Sequence, residues 1–482
     1  MGEWLNCIEL AQHELLLFCG IGFVIGAADD IAIDLLWVVR RCVLALRGCA
    51  PSRYLGQLGP PRGPGPIAIF LPLWDESAVV GRMLEACGVR WQGQDYRIFA
   101  GVYPNDPATR DAVTLAAARD PRVHLIVNGA PDPTTKADCL NHLWRALIAF
   151  EAERGLTVKA VVLHDAEDLV HTDELALFDR LIEDFELVQL PVRAVPVPGS
   201  RLVSGHYRDE FIEAHDKQLV VRSWLGAGLP SAGVGCAFSR AMLETIAARE
   251  GGLPFCAESL TEDYELGLKV RELEGRQTIV HLAGRDGSLI CTRCCFPGRF
   301  VDSARQKARW LTGISLAGWD RLGWTRCPAE CWMRFRDRRS VFAAFLLLAA
   351  YVTGALTLTL WIAVRWLPDY RPQGLSGEAD WLVTITALAL LWRVVVRCWL
   401  VARACGWREA LWSPARLLTG NLIAIVAATR ALRQYIGYCL GSRLTWEKTS
   451  HYFPEADDLA PRPTPVEHLS TRIGPAMIGP AE

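Results

Sequence analysis

The sequence has almost no net charge. Across 482 residues, 51 Lys and Arg stand against 53 Asp and Glu, leaving −2. There is no overall basic field to collect nucleic acid, so a nucleic-acid partner is excluded. Sixteen cysteines are present, but their spacing lacks the pattern of a secreted disulfide framework. Cys19, Cys42, Cys398 and Cys439 lie inside apolar runs and read as reduced thiols in a cytosolic or membrane setting. Cys291, Cys294 and Cys295 form one C-x-x-C-C cluster. A zinc site would need a second pair, with Cys327 and Cys331 as candidates; the spacing is loose, and free thiols near a loop are the plainer reading. No Lys or Arg precedes the first apolar run. A secretory signal would have a basic start and a small-residue cleavage site, so that reading is rejected. Hydrophobic residues make up 51% and charged residues 22%. That combination excludes a wholly disordered chain and argues against a pure membrane bundle. A chain part soluble and part membrane fits.

The first apolar run covers residues 15–28, is interrupted by Asp29, Asp30 and Asp34, and resumes over 35–46. With residues from Trp4 it is long enough for one span. Arg40, Arg41, Arg47 and Arg53 follow it, which puts the N-terminus outside and the rest in the cytosol. The acidic trio is expected at the interface, with 31–46 an amphipathic helix along the membrane. Residues 340–364 form a strong span and 381–402 a second. Arg393 and Arg397 of the latter share a face and either snorkel or point inward. Residues 417–436 are weaker: Asn421, Arg430 and Arg433 make an interfacial or re-entrant helix as good a reading as a span. The tail after Phe453 is rich in Pro and acids and reads as irregular.

Between Arg62 and Arg321 the pattern changes. Strands are expected at 67–71, 96–102, 123–127 and 158–163, with helices at 77–87, 108–118 and 136–153. This βαβα alternation predicts an α/β domain with a parallel sheet and helices on both faces. Such sheets bind ligands beyond the carboxyl ends of their strands. The polar groups there are Pro72-Leu73-Trp74-Asp75-Glu76, Tyr103-Pro104-Asn105-Asp106 and His164-Asp165-Ala166-Glu167-Asp168. Farther on lie Thr261-Glu262-Asp263 and Gln306-Lys307-Ala308-Arg309-Trp310. Each group has a plain reading. Ser259 to Glu262 matches a capping box, Tyr103 to Asp106 an ordinary turn, and Gln306, Arg309 and Trp310 the surface of an amphipathic helix. The set is more telling than its members: three acidic clusters at successive strand ends, then a basic-aromatic helix before the membrane.

Asp165, Glu167 and Asp168 concentrate hard oxygen ligands where Mg²⁺ or Mn²⁺ could sit with a diphosphate. Asp263, at the start of a helix, could take a proton from an attacking hydroxyl. Arg309 can pair with phosphate and Trp310 can stack on a sugar ring or nucleobase. Helical spacing presents Gln306 on the same side as both.

With Asp106, Asp165-Ala166-Glu167-Asp168, Thr261-Glu262-Asp263 and Gln306-x-x-Arg309-Trp310, the chain resembles the processive, membrane-embedded family-two glycosyltransferases, relatives of cellulose and hyaluronan synthases. A closer likeness, to the phage-adsorption protein B family of bacterial inner-membrane proteins, rests on several further motifs. These are Ala28-Asp29-Asp30-x-x-x-Asp34, Tyr103-Pro104-Asn105-Asp106, Lys136-Ala137-Asp138-Cys139-Leu140-Asn141, Ser231-Ala232-Gly233-Val234-Gly235 and Trp446-Glu447-Lys448-Thr449-Ser450-His451.

The resemblance implies a GT-A fold and a set of roles. Glu76 and Asp106 would hold the donor nucleoside, and Lys136 would lie near its diphosphate or base. Asp165 and Glu167 would bind Mg²⁺ or Mn²⁺, with Asp168 nearby. Asp263 would be the catalytic base of an inverting transfer, and Gln306, Arg309 and Trp310 would bind the acceptor end and diphosphate. The implied organisation is an N-terminal transmembrane and interfacial helix (1–50), a cytosolic glycosyltransferase domain (62–320), C-terminal transmembrane and interfacial helices (321–455) and an irregular tail (456–482). The implied location is the bacterial inner membrane. The implied partners are a nucleotide-sugar donor, a UDP-sugar by expectation, and a polysaccharide or lipid-linked acceptor. An outer-membrane export partner or a regulatory subunit is a further partner that the resemblance allows. The resemblance implies that longer relatives carry a cyclic-di-GMP-binding type of C-terminal module; with the sequence running to Glu482, none is expected here, which puts such regulation in doubt unless a partner subunit supplies it. Two stretches stay open. Tyr207 to Phe211 with His215, on an expected helix over 203–221, either line the sugar pocket or pair with Lys217 and Arg222 on a solvated face. Gly233 and Gly235 either let the backbone approach the sugar or mark strand-end turns. Three readings remain in contention: a polymerising transferase, a single-addition transferase acting on a lipid-linked acceptor, and an idle membrane scaffold of an export complex.

Overall fold

The computed structural model describes residues 2–47, 53–129, 134–368, 370–372, 374 and 376–442. The tail at 456–482 and the Trp446–His451 motif lie outside the described residues. In chain order the elements begin with α1 (Gly2–Leu46), β1 (Ile67–Pro72), α2 (Val80–Arg90), β2 (Tyr96–Val102), α3 (Pro107–Arg119), β3 (Val123–Val127), α4 (Lys136–Arg154) and β4 (Ala160–Leu163). There follow α5 (Glu174–Leu181), β5 (Leu187–Gln189), β6 (Val192–Val195), α6 (Val203–Glu213), α7 (Leu219–Trp224), β7 (Cys236–Ser239), α8 (Arg240–Arg249), α9 (Glu262–Glu272), β8 (Gln277–Ile279) and β9 (Thr292–Cys295). The helices α10 (Phe300–Leu311), α11 (Gly318–Leu322), α12 (Pro328–Arg338), α13 (Ser340–Trp366), α14 (Gly377–Cys405), α15 (Trp407–Ala410) and α16 (Ser413–Cys439) complete the described chain.

The main sheet has the order β3-β2-β1-β4-β7-β5-β8. It is parallel except for β7, which runs antiparallel to β4 and β5. A two-stranded parallel sheet, β6-β9, stands beside it. This is the GT-A arrangement. The continuous apolar run of β1 is explained by burial on both faces. Ile67, Ile69 and Leu71 pack into the core beneath α2 and α5, whereas Ala68 and Phe70 pack with Leu140, Leu143 and Leu147 of α4. Asp106 caps α3 by accepting from Thr109 N at 3.2 Å, with Pro107 at the first helical position. Thr135 caps α4 in the same way, and Gly155 closes it in the left-handed conformation.

Among the described residues four helices are long and apolar enough to cross a membrane: α1, α13, α14 and α16. The expected break after the first span is absent. α1 is one helix of 45 residues, and its three aspartates are ion-paired. Asp29 and Asp30 meet Arg336 and Arg339, Asp30 also meets Arg393 at 2.5 Å, and Asp34 meets Lys217 at 2.6 Å. Arg393 and Arg397 therefore point inward, Arg397 toward Glu213 at 2.6 Å. α1 and α14 run parallel. His13 meets Ser376, Asp30 meets Arg393, and Trp37 stacks edge-on against Trp399 at 5.6 Å.

The 417–436 stretch lies within one helix, α16. α16 lies along the sheet-bearing domain, packed on α6 and α10. Arg416 pairs with Asp209 at 3.2 Å, Ala427 and Ala431 pack on Ala308, and Tyr435 donates to Asp320 at 2.6 Å. Its opposite face exposes Leu418, Leu422, Val426 and Ile436.

Candidate active site

The cleft opens at the carboxyl ends of β1 and β4 and is closed by the start of α9, the strand β9 and the helix α10. Of the residues singled out in the sequence, Glu76, Lys136, Asp165, Glu167, Asp263, Gln306, Arg309 and Trp310 all line it. Asp106 does not. Its carboxylate lies behind the wall, where Oδ1 caps α3 and Oδ2 accepts from Asp75 N at 2.6 Å. Asp75 has φ +52°, a left-handed conformation unusual for a residue with a side chain. Asp106 thus shapes the strained turn that presents Glu76.

The acidic loop after β4 is built on a buried histidine. His164 donates to Asp168 Oδ2 at 2.8 Å and to Glu174 Oε1 at 2.7 Å, with all three side chains enclosed. Burial alone would lower the imidazole pKa. Glu174 and Asp168 override it and raise it to about 10, so His164 is an imidazolium. Asp168 Oδ2 also accepts from Asp165 N at 3.0 Å, which sets the direction of the Asp165 side chain. Lys136, on the first turn of α4, donates to Asp165 Oδ1 at 2.5 Å. Burial opposes its charge, but Asp165, Glu262 and Asp263 hold its pKa well above the usual lysine value.

The expected capping box at the start of α9 does not form. Thr261 is the N-cap residue and Glu262 begins the helix. Ser259 instead donates to Glu265 at 2.5 Å, and Arg321 also pairs with Glu265. Glu262 is free to face the cleft, where burial and the neighbouring Asp263 charge raise its pKa to about 7. Burial raises Asp263 as well. Its Oδ1 accepts from Tyr264 N at 2.8 Å. The Tyr264 hydroxyl donates to Asp337 at 2.7 Å, tying the aspartate's helix to the end of α12.

Gly233 has a reason beyond a turn. At φ +72°, an added Cβ would lie 2.3 Å from Asp263 Oδ2, so only glycine lets that carboxylate sit where it does. Gly235 is similarly constrained against Thr292. A residue not singled out from sequence holds this loop: Gln189 donates to the carbonyl oxygens of Val234 and Gly235 and accepts from Ala232 N. Its only sequence signal is a polar side chain ending a strand.

On the opposite wall, Trp310 packs against Tyr207, Phe211 and Phe296 with ring centroids 6.1 to 6.4 Å apart. Of the 203–221 stretch, Phe211 lines the cleft. The charged members do not sit on a solvated face. Glu210 pairs with Lys307 at 2.6 Å, and Arg222 with Asp337 at 2.8 Å. Gln306 is nearly buried, and its Oε1 has no hydrogen-bond partner. Trp74 and Tyr103, stacked edge-on at 5.4 Å, also line the cleft.

Six acids and two cations line the cleft among the described residues. Asp168, like Glu262, is pushed up to about 7, by burial first. This surplus of crowded carboxylates suits a divalent cation. Among the described residues no group of three or more His, Cys, Asp or Glu is gathered in a way that could hold a metal by itself. Two carboxylates with substrate phosphates completing the shell is the usual way Mg²⁺ is held, and Asp165 with Glu167 fits that donor set.

Residues 64–313 match the model of the glycosyltransferase-like family 2. The chain belongs to that family. It is 35% identical to bacteriophage adsorption protein B of Escherichia coli (strain K12), over 89% of this chain and 60% of that protein. Bacteriophage N4 adsorption protein B of Escherichia coli O157:H7 matches with the same identity and coverage. The chain therefore spans about three-fifths of the length of these relatives. Among solved structures it resembles the mannosyltransferase PcManGT from Pyrobaculum calidifontis, in complex with GDP-Man and Mn²⁺. The TM-score is 0.51 at 19% identity, covering 86% of this chain and 99% of that one. At that identity the likeness concerns the fold.

Proposed function

We propose that this chain is an inverting glycosyltransferase of the bacterial inner membrane, with its catalytic domain in the cytosol. It would move a sugar from a nucleoside-diphosphate sugar, a UDP-sugar by preference, to a growing envelope polysaccharide. The observation that carries the reading is the meeting of Asp263, the Asp165–Glu167 pair and the Gln306–Arg309–Trp310 face in one cleft.

In this reading the acceptor hydroxyl attacks the anomeric carbon from the face opposite the leaving group. The new C–O bond forms as the bond from that carbon to the diphosphate oxygen breaks, and the hydroxyl proton passes to Asp263. Burial raises the Asp263 pKa, which makes it a better proton acceptor than an exposed aspartate. Glu76 binds the nucleoside from the turn that Asp106 holds. Lys136 and Arg309 pair with the diphosphate, and Trp310 stacks on the acceptor sugar. Mg²⁺ or Mn²⁺ on Asp165 and Glu167 would neutralise charge on the departing nucleoside diphosphate. The mannosyltransferase structure with GDP-Man and Mn²⁺ supports this class of donor and metal.

The test is nucleotide release by the detergent-purified protein with Mn²⁺ or Mg²⁺ across UDP- and GDP-sugars, beside Asp263→Asn. Release from one donor, lost in the variant and with chelator, supports the reading. Silence together with absent donor binding supports the idle scaffold. A ladder of products separates polymerisation from single addition.

A further inference from the structure

The parallel pairing of α1 with α14 is complementary until its cytosolic end. Partners 358 to 363 positions apart meet along it: His13 with Ser376, Asp30 with Arg393, Asp34 with Trp392. Trp37 and Trp399 continue the register, and Trp37 is fixed by its indole N–H on the Asp216 carbonyl at 3.1 Å. One turn further the register sets two like charges together. Arg41 lies over Trp37 and Arg403 over Trp399, each 4.7 Å from the ring centroid. The Arg41 charge repels Arg403, and the acid acting on Arg403 is Asp216. That carboxylate is already held by Arg193 at 2.6 Å and His281 at 3.1 Å. Among the described residues neither Arg41 nor Arg403 has a carboxylate within ion-pair distance, unlike Arg336, Arg339, Arg393 and Arg397 on neighbouring turns.

Beside this pair α1 exposes an apolar stripe. Leu35, Val38, Val39 and Leu46 are 58%, 49%, 46% and 86% exposed. Their spacing puts them on one side of the helix. An exposed apolar stripe running past two uncompensated guanidiniums has the chemistry of a lipid: acyl chain along the stripe, phosphate at the arginines. Basic sites between helices at the cytosolic surface are where anionic headgroups are held, and guanidinium suits the planar, multidentate binding of phosphate.

We propose that Arg41 and Arg403 form a binding site for the phosphate group of an anionic membrane lipid, seated between α1 and α14. The bound phosphate relieves the repulsion at the end of the helix pair and fixes the end of α1 that leads into the catalytic domain. The site rests on the membrane seating of α1 and α14 and not on the transfer reaction. Its failure is therefore distinguishable from failure of the transferase reading, which nucleotide release reports.

The experiment is native mass spectrometry of the full chain in detergent, titrated with phosphatidylglycerol, phosphatidylcholine or inorganic pyrophosphate. The wild type is expected to retain phosphatidylglycerol selectively. Arg41→Gln with Arg403→Gln should weaken that retention about thirty-fold, the effect of two basic residues at an anionic headgroup. Arg41→Lys with Arg403→Lys should restore most of it. If the glutamine pair does not fold, the single Arg403→Gln is read the same way. Equal retention of phosphatidylglycerol by wild type and glutamine variants overturns the proposal. Equal retention of phosphatidylcholine overturns it too. Displacement of the lipid by pyrophosphate at comparable concentration overturns the lipid as source and makes this a soluble-phosphate site.

Discussion

Lys136 spans the cleft to Asp165, its ammonium 2.5 Å from Oδ1. The pair places a cation of the protein's own on a carboxylate expected to hold a divalent ion. In the proposed reading, metal and donor binding would redirect Lys136, and the diphosphate is the group that would receive it. Lys136→Met is expected to raise the donor KM about ten-fold or more, the loss of one charge-assisted hydrogen bond. The thermal midpoint should change little. Steady-state kinetics over a donor series at saturating metal checks this; an unchanged KM would remove Lys136 from the donor site.

Asp263→Asn should lower kcat by about 10² to 10⁴, the range for a lost general base, while donor binding persists. Isothermal titration with the donor beside a nucleotide-release assay separates the two. A variant with kcat near wild type would assign the proton to another group.

Gly233→Ala should reach the same step by geometry. Its Cβ would fall 2.3 Å from the Asp263 carboxylate, on a backbone at φ +72°. The expected result is a fall in kcat with donor KM nearly constant. A stability loss above about 1 kcal/mol should accompany it, since alanine is strained at positive φ. Chemical denaturation in detergent and donor kinetics give both numbers.

His164→Leu would leave Asp168 and Glu174 buried without their shared cation. Removing one member of a buried ion pair typically costs about 3–5 kcal/mol. The expected outcome is a large drop in thermal midpoint, and in whatever folds, weaker Mn²⁺ binding because the Asp165 backbone has lost its anchor. A midpoint within a degree or two of wild type would contradict this.

Acid should loosen the contacts of α6 and of the turn that follows it. Burial alone would raise the pKa of Glu210 and Asp216. Lys307 and His206 override it for Glu210, and Arg193 and His281 for Asp216, and each carboxylate is held at about 2. Both groups bind fewer protons folded than unfolded. Their stabilisation is therefore present above the ordinary carboxylate pKa near 4 and is lost as pH falls toward about 2. Thermal midpoints across that window should fall less steeply in Glu210→Gln with Lys307→Met than in the parent; identical slopes would refute the assignment.

The strands and cleft residues were legible because each is written locally. Five apolar residues in a row at 67–71 could only be a doubly buried strand, and acids at strand ends point to the cleft. What escaped the sequence was paired at a distance. The Asp29–Asp30–Asp34 trio looked like a break in the first helix because its counter-charges lie far along the chain, arginines some 300 positions away for Asp29 and Asp30 and Lys217 for Asp34. The structure shows a continuous helix with those charges matched. Ser259 and Glu262 fitted a capping pattern, but Glu265 took the serine, a competition that spacing does not reveal. Asp106 matched a donor-binding motif yet sits behind the wall as a cap. The charges that weakened 417–436 as a span belong to a helix that Arg416 fastens to the catalytic domain.

The matched acids of α1 also have a consequence for assembly in time. A ribosome finishes α1 before any of Trp332, Arg336, Arg339 or Arg393 exists, so Asp29 and Asp30 wait for their counter-charges while some 300 further residues are made. The catalytic sheet can fold in that interval, but its seat on the membrane closes only when α14 comes to lie beside α1. A chain stopped before Arg393 would hold every residue of the cleft and still lack the charge that completes the seat.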